Sequence, residues 1–404
     1  MLPRQPQTAL RIAVVTETYP PEINGVAHTV GLMVGELLAR GHQIELVRPR
    51  QAADESGLSA HHAPKFEQRL TLGFRIPNYP ELRIGIVNSE RLLRAWRARR
   101  PDIVHVITEG PLGWSALRAA RKLGIPVVSD FHTNFHEYSR HYGFGWIAGA
   151  ITAYLRALHN RSDCTFVPTH EMRDRLHATG FKALAIVGRG IDTQLFSPAK
   201  RSADLRRSWQ CEEDTPVALY VGRLAAEKNL RLFVESIRTA RSHRSDLRVV
   251  IVGDGPLGRT LRARNPDFIF AGMRIGEDLA AHYASADLFV FPSLSETFGN
   301  VTMEALASGL AVVAFDYAAA REYIVHEDNG LVARCDDETA FRGHTARLAT
   351  SGRELQKLRR RARQTAEGLS WSRAFDDLER SLLKFASARA SATPGCAPAA
   401  AATD

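Results

Sequence analysis

Short apolar runs bounded by turn residues recur along the chain, and amphipathic stretches of helical period fill the gaps between them. In the first half they are Ile12-Ala13-Val14-Val15, Ile44-Glu45-Leu46-Val47, Ile103-Val104-His105-Val106-Ile107, Val127-Val128-Ser129-Asp130-Phe131 and Thr165-Phe166-Val167. The series restarts with Val217 to Val221, then Val249 to Val252, Phe268 to Phe270, Leu288 to Phe291 and Ala311 to Ala314. Strands this short and this continuously apolar are covered on both faces, which is the pattern of parallel sheets with crossover helices. The pattern therefore predicts an α/β chain of two Rossmann-like doubly wound domains facing across a cleft. Ligands are expected at the carboxyl ends of the strands, between the domains.

The stretch Gly188-Arg189-Gly190-Ile191-Asp192, running on to Pro198, has the composition of a hinge. It divides the chain into expected domains at 1–192 and 193–367. The amphipathic segment Trp371 to Phe385 follows the basic run Arg359-Arg360-Arg361, and the region 368–386 is expected to cross back to the first domain. Residues 387–404 are rich in Ala, Ser, Thr and Pro and poor in large apolar side chains, which predicts a disordered tail.

With 404 residues and 45% hydrophobic content, the chain can fill two cores. Met1 to Ala9 lacks the charged-then-apolar layout of a secretory signal. The nearly uncharged segment Gly143 to Leu155 stops at Arg156, short of the ~20 residues a membrane span needs. The cysteines Cys164, Cys211, Cys335 and Cys396 form no CxxC pair, so neither zinc nor disulfide stapling is expected, and a reducing cytoplasm fits. The net charge of +9 is lopsided: residues 1–190 hold 24 Lys and Arg against 16 Asp and Glu, whereas 191–404 hold 29 against 28. A basic first half suits nucleic acid, an anionic membrane or an anionic ligand, and charge does not choose among them.

Three features carry chemistry. Asn24-Gly25 precedes a helical face of Val26, Val30, Val34, Leu37 and Leu38, so a glycine opens a helix N-terminus where a diphosphate can approach the backbone; a plain tight turn explains the pair equally. Gly222-Arg223, with Glu227-Lys228-Asn229, follows the strand Val217 to Val221. Its two cations suit pyrophosphate, although solvated charges at a helix start are the alternative. Glu296 lies on the loop after Leu288 to Phe291 and Glu304 lies within the helical stretch Thr302 to Leu310, which aims both carboxylates at one helix N-terminus; taken alone, the pair reads more readily as a solvated helix face.

In their order and placement these motifs, with Gly253-Asp254-Gly255-Pro256 and Gly330-Leu331-Val332, resemble the retaining GT-B glycosyltransferases of family 4 over nearly the whole chain. The resemblance implies that Glu304 holds the donor's ribose and that Glu296, with the amides of Phe298, Gly299 and Asn300, holds its sugar. It further implies that Arg223, Lys228 and the Gly25 amide grip the diphosphate, and that base contacts fall near Met273. His132, at the end of the strand Val127 to Phe131, would orient the sugar or stabilise charge at its anomeric carbon; taken alone it reads equally as a structural histidine. The stretch from Phe131 to Trp146 and the Arg189 to Asp192 hinge are most similar to the glycolipid-forming branch, with GDP-mannose-dependent alpha-mannosyltransferases and sulfoquinovosyl-diacylglycerol synthases. Ala318-Ala319-Ala320 departs from the Gly-Gly of many relatives.

These readings lead to a hexosyltransferase using GDP-mannose or a UDP-sugar, without a metal or other cofactor, and without nucleic acid. The expected acceptor is a diacylglycerol-type lipid at the inner face of the cytoplasmic membrane, touched peripherally. Membrane contact is expected from Trp96, within the arginine-rich stretch Ser89 to Arg100, and from Tyr142, Phe144 and Trp146. A covering helix with Trp96 in the core is the competing reading of the first. Polysaccharide or oligosaccharide assembly, a sugar-nucleotide epimerase and a non-enzymatic basic binding protein are the rival functions.

Overall fold

The computed structural model describes residues 9–22, 24–51, 54, 65–76, 79–132 and 148–390. Two sheets organise them. The first contains β1 (Arg11–Val15), β2 (Gln43–Pro49), β3 (Phe66–Ile76), β4 (Tyr79–Ile86), β5 (Ile103–Val106), β6 (Val127–Asp130), β7 (Cys164–Val167) and β8 (Leu184–Ile186), in the order β4-β3-β2-β1-β5-β6-β7-β8. Its neighbours run parallel except β3 and β4, which form an antiparallel ribbon at the edge. The second contains β9 (Val217–Val221), β10 (Arg248–Val252), β11 (Ile269–Gly272), β12 (Leu288–Phe291), β13 (Ala311–Phe315) and β14 (Leu331–Ala333). Its order is β11-β10-β9-β12-β13-β14, all parallel.

The apolar runs form strands because both faces are needed. In β1, Ile12 and Val14 face helices Gly25–Ala39 and Trp371–Ala390, while Ala13 and Val15 face helices Ser89–Ala98 and Pro111–Lys122. Burying each such aliphatic side chain contributes about 1.5–3 kcal/mol. Strand order reverses at β1/β5 in the first sheet and at β9/β12 in the second, so each sheet has one switch point where loops part.

Trp96 is a correction to the expected membrane surface. Its side chain is fully buried and its indole N–H donates to Glu45 Oε2 at 3.2 Å, so it anchors a covering helix whose arginines face outward. The amphipathic pattern came from packing on the sheet, which needs the same apolar stripe as a leaflet. Tyr142, Phe144 and Trp146 lie outside the described residues. Among the described residues no helix is long and apolar enough to cross a membrane.

The last helix, Trp371–Ala390, docks Phe375, Leu378 and Leu382 against Val30, Met33, Val34 and Leu37 of helix Gly25–Ala39. Arg40 seals the contact, donating to Asp376 at 2.7 Å and to the buried Glu379 at 2.6 Å. The helix continues past Ala386, where composition predicted order to end, because Ala-rich sequence is the cheapest to keep helical. Residues 391–404 of the expected tail are outside the described part.

The linker after β8 and the segment before this last helix lie side by side. Ile191 N–H donates to Leu369 O at 2.8 Å, and Ile191 bridges Ser370. A Cβ on Gly190 would stand 2.2 Å from the Trp371 nitrogen, so only glycine fits between the two crossings. Gly190→Ala is therefore expected to cost about 1–3 kcal/mol of stability, the usual penalty for overpacking. Urea unfolding measures it; an unchanged midpoint would remove the close crossing from the account.

Candidate active site

The second domain supplies two loops from its switch point. After β9, Gly222 adopts a φ of 152° and Arg223 follows, with its carbonyl accepting the Tyr220 hydroxyl at 3.1 Å. The Gly253-Asp254-Gly255 loop lies flat on this turn: Leu224 N–H donates to Asp254 O at 2.9 Å, and a Cβ on Gly253 would meet Gly222 O at 2.0 Å. The glycines thus buttress the backbone that carries Arg223. Lys228 ends the short turn Ala226–Lys228 and forms an ion pair with Glu296, whose Oε1 also accepts the Ser293 hydroxyl at 2.7 Å.

Glu296 leaves the end of β12. Gly299, with a φ of 91°, then turns the chain into helix Asn300–Ala307. The Gly299 Cα faces the Glu296 side chain, since a Cβ there would lie 3.4 Å from Glu296 Cγ. Glu296 therefore flanks the helix start. Glu304 sits on the second turn and is held differently, its Oε2 accepting the hydroxyl of the buried Tyr283 at 2.8 Å. Burial raises the Glu304 carboxyl to about 7, and the Tyr283 hydrogen bond only partly opposes this. The expectation that both carboxylates aim at one helix terminus thus holds geometrically for Glu296, while Glu304 is anchored one turn along, against helix Gly276–Ser285. Phe298 is buried and stacks edge-on with Tyr323.

The first domain meets this arrangement with a second helix terminus. Asn24 caps helix Gly25–Ala39 by accepting Ala27 N–H at 2.8 Å. A Cβ on Gly25 would lie 3.7 Å from Asn300 Nδ2, so the starts of helices Gly25–Ala39 and Asn300–Ala307 face one another. Two such termini present free amides and partial positive charge to one space, an arrangement suited to an anion.

Beside it, Asp130 at the end of β6 accepts His105 Nε2 at 2.6 Å and His132 Nε2 at 2.9 Å. Burial alone would raise its carboxyl, but the His105 charge and hydrogen bond, reinforced by His132, hold it well below the usual range. The other His132 nitrogen, Nδ1, takes an N–H from Arg189 at 2.7 Å. Arg189 also donates to Thr29 Oγ1 at 3.0 Å and lies 5.5 Å over the Phe298 ring. Burial pushes its pKa down to about 10, with Asp130 pulling the other way.

Of the sequence-predicted residues, the fold gathers Gly25, His132, Arg223, Lys228, Glu296, Phe298, Gly299, Asn300 and Glu304 around the carboxyl ends of the two sheets. Met273 is apart in character: it follows β11 on the surface, more than half exposed. Sequence reading missed three groups. Arg189 was legible only as a cation between hinge glycines, and Tyr283 carried no motif. Glu17 follows β1, where burial raises its carboxyl to about 7 despite the Leu112 amide hydrogen bond, with Glu109 adding repulsion. Ala318 adopts a φ of 51°, a left-handed conformation that glycine holds without strain, and its N–H donates to Glu171 Oε2 at 3.3 Å. Among the described residues no three His, Cys, Asp or Glu side chains gather as a metal site.

Two facing Rossmann-like domains with the site between them are the GT-B arrangement, and solved structures agree on the fold. Sucrose-phosphate synthase from Thermosynechococcus elongatus superposes with a TM-score of 0.75, at 18% identity over 94% of this chain and 100% of that one. HepE of Anabaena, in complex with UDP, gives 0.74 at 15% identity over 93% of this chain and 100% of that one. Residues 23–195 match the family described as Glycosyltransferase Family 4, and residues 215–351 match Glycosyl transferases group 1. A GDP-mannose-dependent alpha-mannosyltransferase of Mycobacterium tuberculosis is 33% identical over 91% of this chain and 95% of its own length. The sulfoquinovosyl transferase of Arabidopsis thaliana is 32% identical over 64% of this chain and 51% of its length. An alpha-monoglucosyldiacylglycerol synthase of Streptococcus pneumoniae is 27% identical over 76% and 71%. The chain belongs to glycosyltransferase family 4, and it is a glycosyltransferase close to mannosyltransferases and glycolipid synthases.

The Glu304 carboxyl predicts a pH signature. Its folded value of about 7 stands above the ordinary 4.5, so its protonated form suits the folded chain better. That contribution is complete below about 4.5 and is lost as pH rises through about 7. Glu304→Gln, which cannot ionise, should therefore gain stability relative to the parent between pH 5 and pH 8. Equal differences in unfolding free energy at both pH values would contradict the burial.

Proposed function

We propose that the protein is a retaining hexosyltransferase that moves mannose from GDP-mannose, or a glucose-type sugar from a UDP-sugar, to the hydroxyl of a diacylglycerol-type lipid. The observation that carries the reading is the opposition of Gly25 to Asn300, which brings two helix starts to one space flanked by Glu296 and its partner Lys228. The names of the relatives supply the choice of donor and acceptor: GDP-mannose in the mannosyltransferases and diacylglycerol in the glucosyl enzymes.

In this reading the diphosphate lies between the Gly25 amide and the Arg223 and Lys228 cations, and Glu304 takes the ribose hydroxyls. Glu296 and the amides after Phe298 hold the sugar. As the bond to the anomeric carbon breaks, negative charge grows on the leaving phosphate, where the cations and helix termini already point. The acceptor hydroxyl enters on the same face and passes its proton to a leaving phosphate oxygen, so the product keeps the anomeric configuration. No carboxylate nucleophile and no metal enters the scheme. The Lys228–Glu296 pair reaches this state by exchange, as the diphosphate takes over Lys228 and leaves Glu296 for a sugar hydroxyl. The enzyme works at the inner face of the cytoplasmic membrane through peripheral contact.

Purified protein given labelled GDP-mannose or UDP-glucose, with and without diacylglycerol vesicles, tests the reading. Transfer to lipid with an axial linkage and release of one nucleotide is expected. Isomerised donor without acceptor would indicate an epimerase, and an inverted linkage would overturn the same-face mechanism. Arg223→Ala should lower kcat by roughly 100- to 1,000-fold, whereas Glu304→Ala should chiefly raise the donor KM. Full activity in both variants would overturn the site.

A further inference from the structure

We infer that Arg189 is a positioning residue of the site: it holds His132 as the neutral tautomer with its proton on Nε2 and ties that ring to the donor loop through Phe298. The geometry fixes the tautomer. A guanidinium can only donate, so the Arg189 contact at 2.7 Å makes Nδ1 an acceptor, and the remaining proton sits on Nε2, pointing at Asp130 Oδ2 at 2.9 Å. A second proton on Nδ1 would set N–H against N–H. Both ring nitrogens are thus occupied, and His132 meets a sugar with its ring face or its backbone rather than with a free nitrogen. Among the described residues the charged groups facing the ring are Asp130 from its own strand end and Arg189 from the linker, with His105 of β5 behind Asp130.

The same guanidinium reaches two other elements. Its Nη1 donates to Thr29 at 3.0 Å, and Thr29 Oγ1 in turn donates to the Gly25 carbonyl at 2.8 Å, so Arg189 is linked through the second turn to the first residue of the helix that faces Asn300. Its Cζ lies 5.5 Å over the ring of Phe298, which directly precedes Gly299 and the second helix start. Its contacts with Thr29, His132 and Phe298 are all to neutral groups, so these contacts orient it without neutralising it. Arg189 sits one residue from Gly190, where the two chain crossings touch. A change in the angle between the domains therefore moves the group that sets the His132 ring and the Phe298 ring together.

The inference rests on the donor reading above for its kinetic consequence, and not for its tautomer. Nitrogen NMR of 15N-histidine-labelled full-length protein, with His132 assigned by loss of its signals in His132→Asn, reads the tautomer directly. The expected ring in the unsubstituted protein carries its proton on Nε2 and none on Nδ1. Arg189→Met keeps the packed stem and removes the donor, so the ring should no longer be held in that one tautomer, and Arg189→Lys should restore it. In turnover, Arg189→Met should lose roughly 10- to 100-fold in kcat, most of which Arg189→Lys should recover. A His132 ring protonated at Nδ1 in the unsubstituted protein would overturn the inference. If the NMR result holds while no variant and no parent transfers sugar, the donor reading fails and the positioning role stands.

Discussion

A parallel strand can be followed by another only if the chain crosses back over the sheet, and that constraint governs this molecule. Every crossover returns the chain to the amino end of the next strand, so the connecting loops leave from carboxyl ends. Where strand order reverses, at β1/β5 and β9/β12, adjacent loops part and open a crevice. Gly25 follows from β1, His132 from β6, Arg223 and Lys228 from β9, and Glu296 with Glu304 from β12. Residues far apart in sequence are neighbours because two sheets turn the same kind of edge towards each other. Burial on both faces supplies the stability, leaving the loops to carry polar groups that a core would not tolerate.

The two domains are joined by an apolar seam, where Phe375, Leu378 and Leu382 of the last helix pack on the first domain, and by specific polar contacts. The linker and the final helix cross at Gly190, and Arg40 fastens that helix to the first domain through Asp376 and Glu379. Across the cleft, Glu171 accepts the Ala318 amide, and His170 meets Glu322 at 2.6 Å. The pair of the exposed His170 with Glu322 contributes little stability. Arg189 lies at the junction of these elements, reaching Thr29, His132 and the donor loop at once.

Much of the architecture was legible because the apolar runs of buried parallel strands stand out in any reading of the chain. The ribbon β3–β4 was not: Phe66–Ile76 mixes charged, polar and apolar residues and contains Gly73, and its Leu72 and Phe74 stay exposed. The facing motifs were readable in outline, as glycines and cations next to strand ends. Their partners were not. Tyr283 holds Glu304 from a different helix, and the Lys228–Glu296 pair joins two loops. Both depend on distance in space, which spacing along the chain does not encode. Trp96 misled because a helix that covers a sheet and a helix that lies on a lipid surface need the same apolar stripe, and only packing tells them apart.

The central claim is that one nucleotide sugar is gripped by helix starts from both domains at once. Hydrogen exchange on the full-length protein, with and without saturating GDP-mannose or UDP-glucose, measures this most directly. The account predicts that the donor slows exchange together in the first turns of helices Gly25–Ala39 and Asn300–Ala307, which lie in different domains. Protection confined to the second domain, with the amides after Asn24 exchanging as before, would contradict it.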